Sequence, residues 1–175
     1  MVTQRNDFFK LGGNFVTVLG DDVAVGQPAP GFVSTAQDWS KIDPLAESRG
    51  KVTILCAVPS LDTSVCDRET RRFNEEASAL SDDIAVYVIS TDLPITQKRW
   101  CGASGVDRVH VVSDVLETEF ALKYGVLIRE RRWMRRAVFV VGRDGVLTYV
   151  AYMPQLGDEP NYEEVIAAAK AALVQ

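Results

Sequence analysis

The chain has one histidine, His110, and three cysteines in 175 residues. So small and odd a number of thiols does not make a disulfide scaffold. One imidazole with three scattered thiols does not make a zinc cluster either, so neither a metal nor a cofactor is expected. Any histidine-assisted catalysis would have to rest on His110 alone. No apolar run approaches the ~20 residues of a membrane helix. The first twenty residues hold Arg5, Asp7 and Lys10 but no apolar stretch of the secretory kind. Basic side chains are in the minority, 19 Lys and Arg against 24 Asp and Glu, for a net charge of −5. That balance is a poor one for gripping phosphate backbones. Neither a nucleic-acid nor a membrane partner is expected. What remains is ordinary globular composition, 47% hydrophobic and 25% charged, which fits one domain over 1–175. A chain whose few cysteines are available for chemistry is expected in the cytoplasm.

Hydrophobic patterning sets the order of elements. Phe8 to Leu11 and Phe15 to Leu19 flank Gly12-Gly13 and predict a β-hairpin within residues 1–20. Phe32 to Thr35 reads as a short strand. Lys51 to Val58 is apolar and β-branched almost throughout, as a strand covered on both faces should be. Pro59 ends it. A helix is expected from Thr63 to Leu80, with Val65, Phe73, Ala77 and Leu80 near one stripe and Asp67, Arg68, Glu75 and Glu76 solvated. Further strands are expected at Ile84 to Ser90 and Val109 to Val112. Helices are expected at Pro94 to Ala103 and Glu117 to Tyr124. Ala137 to Val141 and Val146 to Tyr152 flank Gly142-Arg143-Asp144-Gly145 and predict a second hairpin, and Tyr162 to Val174 predicts a closing helix. Strand–helix–strand alternation implies parallel pairing, with an antiparallel hairpin added later. An α/β protein of thioredoxin-like fold fits this order: a mixed central sheet flanked by helices, with an N-terminal β-hairpin. A flavodoxin-like sheet has no place for the late hairpin.

The most informative stretch is Pro59-Ser60-Leu61-Asp62-Thr63-Ser64-Val65-Cys66. It leaves a buried strand and opens a helix, so Cys66 falls in the first turn. Free N–H groups and the positive end of the helix dipole favour an anion there, the setting of a reactive thiolate. Thr63 can cap the helix or touch the sulfur. A lone cysteine packing as a small hydrophobe beside a capping threonine would satisfy the same pattern.

Pro59, Thr63 and Cys66, so spaced after a core strand, resemble the active-site signature of the peroxiredoxins. The Ser-Leu-Asp-Thr-Ser-Val-Cys form is similar to that of the thiol peroxidase subgroup, which works with two cysteines in the atypical, intrachain manner. Arg71-Arg72-Phe73-Asn74, Ser90-Thr91-Asp92-Leu93-Pro94, Arg99-Trp100-Cys101-Gly102-Ala103, Tyr124-Gly125-Val126, Arg136-Ala137-Val138-Phe139-Val140 and Pro160-Asn161-Tyr162 extend the resemblance over almost the whole chain. The resemblance implies that Cys66 is the peroxidatic cysteine, oxidised by peroxide to a sulfenic acid. It implies that Thr63 bonds the sulfur or the peroxide and that Pro59 shields the sulfur. Arg136 would set a fixed cation beside the thiolate and the peroxide oxygens. Cys101 would be the resolving cysteine, closing an intrachain disulfide that thioredoxin reduces. A homodimer is implied as well. Joining two helices through a disulfide is demanding, so at least one of them should partly unwind in each turnover.

Cys56 lies inside the Lys51 to Val58 strand and reads as an inert core residue, and His110 as a residue at a strand start. The basic run Arg129, Arg131, Arg132, Arg135 and Arg136 reads as a solvated loop entering a strand, with Arg136 turned inward; a nucleic-acid or acidic-partner patch would be the other use of it. The chain departs from the subgroup at Phe15, Ile95, Arg135 and Gly142, none of which removes a catalytic group. Ile95 and Arg135 bear on pocket shape. The competing functional readings are a redox relay that passes its disulfide to a partner protein, and a non-catalytic thioredoxin-like module. The last gives no reason for Thr63, Cys66, Cys101 and Arg136 to occur together.

Overall fold

A computed structural model describes residues 1–174. In chain order the elements are β1 (Gln4–Leu11), β2 (Asn14–Leu19), β3 (Ser34–Thr35), β4 (Lys41–Ile42), α1 (Pro44–Glu47), β5 (Val52–Ala57), α2 (Ser64–Ala79) and β6 (Ile84–Ser90). There follow α3 (Pro94–Ser104), β7 (His110–Ser113), α4 (Glu119–Lys123), β8 (Leu127–Ile128), β9 (Trp133–Met134), β10 (Ala137–Val141), β11 (Leu147–Tyr152) and α5 (Tyr162–Ala172).

Seven strands form the main sheet in the order β11-β10-β5-β6-β7-β3-β4. β5, β6 and β7 are parallel, Val52 to Ala57 lying against Ile84 to Ile89, and Tyr87 to Ser90 against His110 to Ser113. β10 runs antiparallel to both β5 and β11. The sheet is therefore mixed, as the order of patterns predicts, and the fold is thioredoxin-like. Every residue of β5 is buried, which is why its sequence is a continuous apolar run rather than an alternating one.

The period of two in the strands divides the core into two layers. Val52, Ile54, Cys56 and Val58 pack with Val86, Val88, Val138 and Val140 in the layer that takes Cys66 and Phe73 of α2 and Val165 and Ala169 of α5. Leu55, Ala57, Tyr87, Ile89 and Phe139 face the other way, onto Phe120 of α4 and the aromatic Tyr124. Cys56 thus shares the layer of Cys66 because both occupy inward positions on the same side of the sheet.

α2 buries Cys66, Glu69, Thr70 and Phe73, a stripe at helical spacing. This corrects the expected stripe: Val65 is only half-buried, and two polar residues take inward positions. Asp67 is not simply solvated either, since it accepts a hydrogen bond from Trp100 Nε1 at 3.1 Å. Helix α3 begins with Pro94, whose missing N–H costs nothing in a first turn, and stops at Gly105 with φ +65°.

Four short elements were not expected: β4, α1, β8 and β9. The last two correct the reading of the basic run. Leu127 and Ile128 pair with Met134 and Trp133, and Ile128 also pairs with Val18 of β2. Arg129, Arg131 and Arg132 lie in the turn of a small hairpin, while Arg135 and Arg136 follow it and are buried; the hairpin belongs to a second, four-stranded sheet, β1-β2-β8-β9, which joins the N-terminal hairpin to the body.

That junction depends on two glycines. Gly20 has φ +86° and Gly125 φ +62°. A Cβ on Gly20 would overlap the carbonyl of Leu122, and one on Gly125 the carbonyl of Asp21. Both the backbone conformation and the close approach require the absence of a side chain. Gly125→Ala should lower unfolding free energy by about 2 kcal/mol or more, the cost of a left-handed residue with added backbone displacement. Urea denaturation measures it; a loss below about 0.5 kcal/mol would contradict this account.

Candidate active site

β5 delivers the chain to the site. Its register with β10 sets Ala57 opposite Ala137. The residue before Ala137, Arg136, therefore lies just beyond the end of β5, where the chain passes through buried Pro59 and turns into α2. The turn is held by Asp92: Oδ1 accepts from the Ser60 hydroxyl at 2.7 Å and Oδ2 from the Leu61 N–H at 2.8 Å. Ser60 in turn holds Thr63, whose hydroxyl donates to the Ser60 carbonyl at 3.0 Å.

Thr63 is the N-cap of α2, with extended backbone angles, and its Oγ1 accepts from the Cys66 N–H at 3.4 Å. The hydroxyl thus bonds the cysteine's backbone rather than its sulfur. Cys66 is fully buried. Its Sγ accepts a hydrogen bond from Arg136 Nη2 at 3.2 Å. Arg136, only 1% exposed, spends its other donors on Glu69 and on the Leu156 carbonyl, at 3.3 Å from Nε and 3.1 Å from Nη2. Burial opposes the Arg136 charge, but Glu69 and the Cys66 sulfur outweigh it and hold the guanidinium protonated.

Glu69 is the site residue that sequence reasoning missed. It lies one helical turn beyond Cys66, which is the signal that could have found it. Its Oε2 pairs with Arg136, while Oε1 is buried without a partner. Burial pushes the Glu69 carboxyl up to about 7 against the attraction of Arg136. Desolvation likewise pushes the Cys56 thiol well up, in keeping with an inert core residue.

Cys101 has different surroundings. It is half-buried on α3 and accepts from Gln37 Nε2 at 3.4 Å. It lines a cavity of about 540 Å³ with Gln37, Asp38, Lys98 and His110. Burial raises its pKa, with the Gln37 bond acting against the rise. His110 stacks on Tyr87 with ring centroids 4.8 Å apart and stays on the Cys101 side. The structure therefore brings together Pro59, Thr63, Cys66 and Arg136, and sets Cys101 on a neighbouring helix with its sulfur on another partner.

The adjacent arginines point apart. Arg135 is also buried, but it lies between the rings of Phe8 and Tyr152, 4.9 and 4.0 Å from their centroids, and pairs with Asp22. Its Nε donates to the Gly125 carbonyl at 3.0 Å. Arg135 pins the N-terminal hairpin; Arg136 serves the sulfur.

Fold and site together define a thioredoxin-like protein built around a helix-capped, arginine-bound cysteine. The Redoxin family model matches residues 24–166. Thiol peroxidases of Halalkalibacterium halodurans and Bacillus subtilis are 47% and 46% identical to this chain, over 92% and 91% of it and 96% and 94% of their own lengths. A peroxiredoxin-like protein from Aquifex aeolicus superposes with a TM-score of 0.84 at 35% identity, covering 98% of each chain. The chain belongs to the Redoxin family, within the thiol peroxidase subgroup of the peroxiredoxins.

Arg136→Met keeps side-chain length and deletes the charge. It should slow peroxide attack by about 10²–10³, the usual worth of a lost charge-stabilising donor. Arg135→Met should instead loosen the hairpin and lower the melting temperature, with a much smaller kinetic effect. Stopped-flow oxidation of the two variants decides it, and a larger kinetic defect in Arg135→Met would contradict the geometry.

Glu69 makes stability depend on pH. Its folded-state value lies above that of the unfolded chain. The stability it contributes is therefore full below the ordinary carboxylate range and is lost as pH rises through about 7. Asp114, which burial pushes up to about 6, acts in the same direction. Melting temperature should fall between about pH 4 and 7 from these two groups. In Glu69→Gln the fall should be visibly shallower, with Asp114 still lowering stability as pH rises and the lowered pKa of His110 opposing it; equal slopes would refute the assignment.

Proposed function

We propose that this chain is a thiol-dependent peroxidase that reduces hydrogen peroxide and organic hydroperoxides. The observation that carries the proposal is the buried Cys66 sulfur, bound by Arg136 Nη2 at 3.2 Å in the first turn of a Thr63-capped helix. The Cys66 thiolate attacks one oxygen of the peroxide and the O–O bond breaks. The other oxygen leaves with a proton as water or alcohol, and the sulfur becomes a sulfenic acid. Arg136 holds a fixed positive charge against the sulfur and the oxygens that gain charge. Thr63 keeps the first turn in place and offers its hydroxyl to the bound peroxide, and Pro59 closes the apolar wall beside the sulfur. His110 takes no part in this step, since it stacks on Tyr87 and lines the Cys101 cavity rather than the Cys66 sulfur.

The Cys101 thiol then attacks the sulfenic sulfur. An S–S bond forms, the S–O bond breaks and water leaves. Thioredoxin supplies the dithiol that reduces the disulfide by exchange. The cycle fits within one thioredoxin-like domain over 1–175. A homodimer in the cytoplasm completes the reading, supported by the family likeness and by the sparse, reactive cysteines. The relay alternative would use the same two cysteines and gains no support from the site.

NADPH consumption with thioredoxin, thioredoxin reductase and peroxide tests the whole cycle. Cys66→Ser should fall to background with normal circular dichroism, since a serine hydroxyl does not ionise near neutrality. Cys101→Ser should consume one equivalent of peroxide and stall. Cys56→Ser should turn over at close to the unmodified rate, losing some stability to a buried hydroxyl. Non-reducing peptide mapping after one equivalent of peroxide should find Cys66 joined to Cys101 within one chain. A bridge to Cys56, or bridges only between chains, would overturn the mechanism.

A further inference from the structure

The two helices that carry Cys66 and Cys101 are tied together one residue away from each sulfur. Asp67, next to Cys66, accepts through Oδ1 from Trp100 Nε1 at 3.1 Å, and Trp100 is next to Cys101. The other Asp67 oxygen accepts from Arg71 Nε at 3.0 Å. Arg71 crosses to the last turn of α3, donating to the carbonyl and hydroxyl of Ser104 at 3.0 Å each, with its guanidinium 5.7 Å from the Trp100 ring. Asn74 continues the same face of α2, its Oδ1 accepting from the N–H groups of Asp107 and Arg108 at 3.2 and 2.7 Å. Asp67, Arg71 and Asn74 stand at i, i+4 and i+7, so one helix face makes the whole seam.

This seam belongs to the reduced arrangement. In it Cys66 faces Arg136 and Cys101 faces Gln37. A disulfide requires each sulfur to leave its partner and the two Cβ atoms to close to about 4 Å. Asp67 and Trp100 move with the cysteines beside them, so their bond lies across the path. We propose that Asp67 and Trp100, braced by Arg71, are positioning residues that hold the two helices in the reduced arrangement and set the rate of the resolving step. The proposal rests on the Cys66–Cys101 disulfide put forward above.

The seam then governs a competition. The Cys66 sulfenic acid either meets Cys101, forming S–S and releasing water, or meets a second peroxide, which adds an oxygen to the sulfur and leaves as water or alcohol. The first path has a fixed rate and the second grows with peroxide. A tighter seam thus lowers the peroxide level at which the enzyme inactivates itself.

Trp100→Phe keeps an aromatic ring but removes the Nε1 donor together with part of the buried indole. Arg71→Met, at an exposed position, removes the brace without disturbing the core. In a single turnover with hydrogen peroxide, rapid alkylation and mass analysis follow the disulfide, and a peroxide titration follows the sulfinic acid. Both variants should form the disulfide roughly three- to tenfold faster, as loss of a hydrogen bond to a charged group permits. The peroxide concentration giving half-maximal sulfinic acid should rise by the same factor. A merely structural role would lower the melting temperature without moving that concentration upward. Unchanged or slower disulfide formation in both variants overturns the seam and leaves the peroxidase reading intact. Absence of a Cys66–Cys101 disulfide in the unmodified chain overturns both.

Discussion

A guanidinium almost wholly out of water is the constraint around which the rest of this structure is arranged. Removing an ion from solvent costs several kcal/mol unless its donors are matched. Arg136 matches them with the Cys66 sulfur, Glu69 and the Leu156 carbonyl. Those partners come from α2 and from the chain beyond β11, so one side chain holds three segments in register. The same requirement explains Glu69, an acidic residue with no water on the inward face of a helix. It faces the arginine in a buried ion pair. The three groups form one electrostatic unit, in which a charge gained by one partner changes the need for the other.

Strand geometry lets neighbouring arginines serve separate ends. Successive residues entering β10 point to opposite faces. Arg136 goes to the layer of α2, and Arg135 to the layer that meets the N-terminal hairpin. There it is pressed between Phe8 and Tyr152, contacts worth about 0.5–2 kcal/mol each as water is excluded. The hairpin is thus a second sheet fastened through the residue next to the site. A disturbance in either sheet has a short path to the sulfur, through one peptide bond.

The parts legible in the sequence were those with a strong period or a strong stop. β5, β6, β10 and α2 were legible because five or more residues repeat one physical demand, and Pro59 marks where β5 ends as Gly125 marks the end of α4. The position of Cys66 was legible because a strand end, a proline and a capping threonine jointly fix a helix start. The two-residue strands β3, β4, β8 and β9 were hidden or only partly visible, since two residues carry no period and their pairing is decided by distant chain. Glu69 and Asp67 were hidden for another reason. A charged residue on a helix reads as solvated until its partner is known, and Arg136 and Trp100 lie far along the sequence. Gln37 beside Cys101 could not be inferred at all from local pattern.

Protection and turnover make opposite demands on Cys66. A sulfur with no exposed surface, capped and bound by a cation, is shielded from random oxidation, yet the same contacts keep it from Cys101. Closing the proposed Cys66–Cys101 loop of roughly 35 residues would restrain the unfolded oxidised chain by about 4 kcal/mol. Against this stand the helix cap at Thr63, worth about 1 kcal/mol, and two hydrogen bonds to charged groups, at Arg136 and Asp67, worth about 1.5–3 kcal/mol each. The opposing sums agree to within a few kcal/mol. The proposed disulfide would then leave the folding stability of the chain nearly unchanged. If the proposed disulfide forms in every cycle, the site needs folded contacts strong enough to align the sulfur and weak enough to be surrendered. Bonds made by partly exposed side chains such as Asp67 and Arg71, rather than by core packing, meet both conditions.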